Sequence, residues 1–152
     1  MKYFNIILAL LIAGSALASE PVITCSPKSL RGVPGQPLQL EVTAITDRAS
    51  PIRLMIPHTD ILHLHSVEKI PIQRTDEGRY VQKRIIIWQG TEAGSTSVTN
   101  LTVIFQGLEK SDPKVPDLGK EKGALTLSVP TIGIIIEAVE PAEPPKKKET
   151  AE

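Results

Sequence analysis

Residues 79–105 read RYVQKRIIIWQGTEAGSTSVTNLTVIF, and this stretch decides the fold. Two runs rich in β-branched residues, 81–88 and 97–105, flank a turn that holds Gly90 and Gly94. Val, Ile, Thr and aromatic side chains suit a pleated, half-buried surface, so the two runs predict antiparallel neighbours in an all-β core. Counting by twos puts Val81, Ile85 and Ile87 on one side of the first strand, and Tyr80, Ile86 and Trp88 on the other. A strand that is apolar on both faces belongs in the middle of a sheet. Leu101, Val103 and Phe105 give the second strand its inward face.

The same period of two continues on either side. Towards the N-terminus, Asp76-Glu77-Gly78 forms the turn into the central strand, and Ile70 and Ile72 make a short piece around Pro71, marking an edge or a bend. Leu62 and Leu64 alternate with His63 and His65, which puts the leucines on the buried side. Ile52, Leu54 and Ile56 alternate with Arg53 and Met55 until Pro57 stops them. Leu38, Leu40, Val42 and Ala44 alternate with Gln39, Glu41 and Thr43, one face buried and the other wet. Pro37 opens that strand, Gly32-Val33-Pro34-Gly35 is a turn, and a first short strand over 23–26 ends at Pro27. Towards the C-terminus, Leu125, Leu127 and Val129 resume the alternation, Pro130 bends the chain, and 132–139 completes it. Between them, residues 108–123 are a charged loop with two prolines and two glycines, longer than a hairpin needs.

No helical periodicity follows the N-terminal segment, and only 3% of residues are aromatic, so the core is built from Ile, Val and Leu. Seven or eight short strands with turns every eight to twelve residues predict a sandwich or small barrel. We expect an immunoglobulin-like antiparallel β-sandwich over residues 21–140. Residues 141–152, Pro-rich and charged, bury too little apolar surface to order themselves.

The first 18 residues read as a secretory signal peptide: Lys2, an apolar run over 4–13, then Ala16-Leu17-Ala18 as a small-x-small cleavage site. A spanning helix needs about twenty apolar residues, and Gly14, Ser15 and Ser19-Glu20 interrupt too early. The expected compartment is periplasmic or extracellular, with no membrane span after cleavage. Cleavage removes one cation and no acid, leaving 16 basic against 17 acidic side chains. That balance gives no case for nucleic acid, whose binding rests on neutralising phosphates. The single cysteine, Cys25, shares the apolar face of Ile23. It is either a small buried side chain or, in an oxidising compartment, a thiol for an intermolecular bond.

Three local features carry a resemblance. The opening Pro27 … Gly35-Gln36-Pro37-Leu38-Gln39-Leu40-Glu41-Val42 is similar to the first two strands of many bacterial immunoglobulin-like modules. Residues 85–105, with Gly94 in the turn and Leu101-Thr102-Val103 after it, resemble the last part of repeated modules in aerotolerance-operon (Bat-type) periplasmic proteins. Those larger proteins continue into a membrane helix, and no stretch after the N-terminal segment reads as one here. Asp76-x-Gly78-x-Tyr80 has the spacing found around the tyrosine corner of immunoglobulin domains, with Gln82 where the family carries a cysteine; an ordinary strand tyrosine after a turn fits the same residues. The resemblance implies a fold and, at most, a module that binds.

Among candidate sites, His58, His63 and His65 lie close in sequence, with Met55 nearby. In an extended strand His63 and His65 share a face and could offer two imidazoles to copper or zinc, with the Met55 thioether favouring Cu(I). A solvated strand face explains the same pattern, and a metal needs three or four ligands. No serine lies in a Gly-x-Ser-x-Gly elbow, and Asp76-Glu77 falls in a turn. We therefore expect no enzyme activity and no cofactor. The expected function is a non-catalytic binding or structural module that contacts a protein or cell-envelope component through sheet edges or the 108–123 loop.

Overall fold

The computed structural model describes residues 20–107 and 124–141. The signal peptide, the charged loop 108–123 and nearly all of the C-terminal tail lie outside the described residues. Eleven strands and no helix occupy the described residues: β1 Val22–Ser26, β2 Ser29–Gly32, β3 Pro37–Thr46, β4 Ile52–Met55, β5 Leu62–Lys69, β6 Gln73–Arg74, β7 Tyr80–Gly90, β8 Gly94–Val98, β9 Thr102–Phe105, β10 Leu125–Ser128 and β11 Ile132–Ile136.

One sheet has the order β1-β3-β7-β5, with β6 also on β7. β3 and β7 form its spine, paired antiparallel from Pro37 opposite Gln89 to Thr46 opposite Tyr80. The other strands form two three-stranded sheets, β10-β9-β4 and β2-β11-β8. These two are halves of one interrupted hairpin. Ser128 pairs with Thr102 and Ile132 with Val98, which leaves three residues unpaired on each strand between the halves. Val98 and Leu101 are both buried although three apart, and so are Val129 and Ile132, so neither strand could keep its apolar residues inward with a strict period of two. Asn100 takes up the irregularity at φ 61°, a region asparagine tolerates. The Val129 amide donates to the Leu101 carbonyl at 2.8 Å, tying the two breaks together.

The inward faces meet in a single core. Leu38, Leu40, Val42, Ile86 and Trp88 from the first sheet pack with Val98, Val103, Phe105, Ile132 and Ile134 from the other two. This all-β arrangement of antiparallel sheets around one core is consistent with a β-sandwich. β2 runs parallel to β11.

Several sequence expectations need correction. The two runs in 79–105 are neighbours in sequence but not in a sheet: β7 pairs with β3, β5 and β6, whereas β8 and β9 belong to the other sheets. Both runs are apolar on their inward faces, and each serves the core from an opposite side. The chain crosses at 91–93, where Gly90 lets the backbone approach Ile136; an added Cβ would lie 3.0 Å from its Cδ1. The piece expected around Pro71 is not a strand, because β5 ends at Lys69 and pairing resumes at Gln73. β2 falls just before the expected turn over 32–35, where no strand was expected, since four residues with one apolar side chain carry no alternation to read. The central placement of β7, the inward faces of β3 and β9, and the turns with positive φ at Gly35 and Gly78 agree with the sequence reading.

Candidate functional site

The molecule's least finished side is where β4 and β5, the outer strands of their sheets, are joined by residues 56–61. Among the described residues, β5 lies against β7 along one side only. Its register holds a bulge: Leu64 lies opposite Trp88 and Ser66 opposite Ile87, so His65 is an extra residue between them. The strand bends there, and its inward positions stop being sealed. Leu62 is 4% exposed, but Leu64 is 41% and Val67 42% exposed, although both face the same way as the core residues Trp88 and Ile86. The sequence placed Leu64 on the buried side. The bulge and its position on an edge explain why it is half out.

Met55 on β4 and Ile72 just beyond β5 are also exposed. Beside Leu64 is a hollow of about 170 Å³ lined by Ile56, Pro57, His58, Thr59, Leu62, Leu64 and Trp88. Scattered exposed apolar residues are ordinary, whereas a contiguous group along an unpaired edge marks a contact surface or an aggregation hazard.

The lower end of the same edge carries charge. Lys69 lies directly opposite Arg84 on the inward face of the sheet, and Arg84 is 8% exposed. Burial pulls the Arg84 guanidinium below its ordinary value, because its charge is partly taken out of water. Its Nη1 donates to the Lys83 carbonyl at 3.0 Å, an oxygen that also accepts from the Ile70 amide at 3.2 Å. The ion pairs among the described residues are Arg31–Glu137, Arg79–Asp47 and Lys83–Glu41, so neither Lys69 nor Arg84 has a carboxylate there. Next along the face, the Nε2 of Gln82 donates to the Ser50 carbonyl, and the Ser50 hydroxyl donates to the Gln106 carbonyl. The sequence alone does not mark Gln82 and Arg84 as inward polar residues, yet stepping back by twos from Trp88 and Ile86 lands on both.

The four candidate metal ligands are divided among three segments. Met55 is on β4, where its sulfur accepts from Arg53 Nη2 at 3.7 Å; His58 lines the hollow; His63 lies opposite Gln89; His65 is the bulge residue. All four side chains are exposed. Among the described residues no group of three or more His, Cys, Asp or Glu is placed to hold a metal ion. Cys25, opposite Val42 on β1, is half-buried against the core and free. Tyr80 is half-buried, with the Arg74 guanidinium 5.6 Å from its ring centre, and no hydroxyl bond of the tyrosine-corner kind is present among the described residues. Asn100 of the Asn100-Leu101-Thr102 sequon is exposed in the break between β8 and β9.

No protein-family model matches this chain, and no curated protein or solved structure matches it either. Among the described residues no helix is long and apolar enough to cross a membrane.

Proposed function

We propose that the chain is a secreted or periplasmic immunoglobulin-like module that binds a protein or cell-envelope component and carries out no chemistry of its own. The strand order supports the fold reading. With β1, β3, β4, β5 and β7 as strands A to E, the first sheet reads A-B-E-D, and β4-β9-β10 reads C-F-G, the immunoglobulin arrangement. The weak likeness to Bat-type periplasmic modules agrees with it, and the N-terminal segment supports export.

One observation carries the functional reading. The unpaired β5 edge exposes Leu64 and Val67 beside a hollow, on a rigid sheet whose spine is buried. Sheet edges of this kind are recurrent sites of protein recognition. A photocrosslinking amino acid at position 67, installed in the protein expressed in its own cell, tests this. The expected result is one discrete envelope-protein adduct from position 67 and none from position 24, on the opposite face of the sheet. Equal adducts from both positions, or none from position 67, would overturn the reading.

A further inference from the structure

The β5 edge combines an apolar stretch with a cationic end, and the two are ordered along one face. Leu64, Val67 and Lys69 are the inward residues, set by Trp88, Ile86 and Arg84 opposite them. Two cations directly opposite each other on a sheet repel, which disfavours the folded state unless something offsets it. Among the described residues nothing does: neither Lys69 nor Arg84 has a carboxylate partner. Glu68 cannot serve, because it faces the other side of the sheet, opposite Ile85. Among the described residues, no fully buried side-chain nitrogen or oxygen lacks a partner. Among the described residues the Arg84 side chain makes a single hydrogen bond, so its remaining N–H groups reach the surface. A buried guanidinium with spare donors beside a lysine is a receptor for a carboxylate.

We propose that the β5 edge takes up an extended segment of a partner protein, lying antiparallel, whose inward side chains run acidic, apolar, apolar at every second position. This rests on the reading of the chain as a binding module and names the chemistry of its partner. The carboxylate sits on the Lys69–Arg84 pair. The first apolar side chain packs on Val67 and the second on Leu64, with the hollow beside His58 and Trp88 to receive it. The spacing copies that of β7, which meets Lys69, Val67 and Leu64 with residues 84, 86 and 88. A regular strand therefore fits the edge despite the bulge. The bulge also keeps the uninterrupted run short, from Ser66 to Lys69, so main-chain pairing alone does not hold a partner. Specificity falls to the charge, and neutralising one of two opposed cations stabilises the complex.

The test uses the mature protein and two capped, fluorescent peptides, Thr-Asp-Thr-Val-Thr-Ile-Thr and the same peptide with Lys for Asp, read by anisotropy. The acidic peptide is expected to bind about tenfold more tightly than the basic one, with an advantage that shrinks as salt is raised. Lys69→Glu lies at the surface, and its carboxylate would pair with Arg84 opposite; it is expected to abolish the preference. Arg84→Met is expected to reduce the acidic peptide's advantage. Equal binding of the two peptides, binding of neither, or an undiminished preference in Lys69→Glu would overturn the proposal. If position 67 still crosslinks to an envelope protein in that case, the binding-module reading stands and only the acidic strand is lost. Dimerisation of the mature protein that Val67→Lys abolishes would identify the occupant as a second copy and also overturn it.

Discussion

Gln82 and Arg84 bring two polar side chains onto the face of β7 that otherwise feeds the core. Their energetics differ. Gln82 is satisfied by the Ser50 carbonyl, so Gln82→Leu strands a buried acceptor and is expected to cost about 1–3 kcal/mol by urea denaturation. Arg84 instead holds a charge that burial disfavours. Its lowered pKa means that the folded state binds the proton less tightly than the unfolded chain, so the charged group opposes folding. Arg84→Met is therefore expected to leave stability unchanged or to raise it by about 1 kcal/mol in the same measurement. A loss of about 2 kcal/mol would show that Arg84 has a structural role not accounted for above. Trp88, the largest side chain of the core, sets the scale, and its replacement by alanine is expected to cost about 3–5 kcal/mol.

At the scale of elements, β5 shows where a period of two stops being sufficient. Leu62 and Leu64 occupy equivalent positions in the alternation, each followed by a histidine. The structure buries one and half-exposes the other, because the strand is at an edge and bulges at His65. Leu62→Ala is thus expected to lower stability by about 2–5 kcal/mol, and Leu64→Ala by about 1 kcal/mol or less. Equal losses would mean that the bulge is misplaced. β3, β9 and the C-terminal half of β7 were legible because each supplies alternating apolar residues to a buried face. β2 was not, since its role is to pair with β11 across the molecule, and nothing local records that. The same holds for the candidate site. Single residues such as Met55 and the histidines stood out as residue types, whereas the Lys69–Arg84 pair depends on a register that joins residues fifteen apart. At Gly78, with φ 81°, alanine is expected to cost about 1 kcal/mol through backbone strain alone, since an added Cβ meets only Arg74 Nη2 at 3.6 Å.

For the whole molecule, the account is of sheets held by one core with no internal crosslink. A chain with a single cysteine has no intramolecular disulfide, so the urea midpoint of the mature protein is expected to be the same with and without reductant. A shift would point to an intermolecular bond through Cys25. The central claim concerns how the chain is divided between the layers: β7 pairs with β3 and β5, and the next two strands cross to the opposite side of the core. Cross-strand nuclear Overhauser effects in labelled mature protein test this most directly. The account predicts contacts between the backbones of Val42 and Arg84, Ala44 and Gln82, and Val67 and Ile86, with none linking the β7 backbone to that of β8 or β9. A ladder of backbone contacts joining residues 81–88 to 97–105 as a hairpin would contradict it.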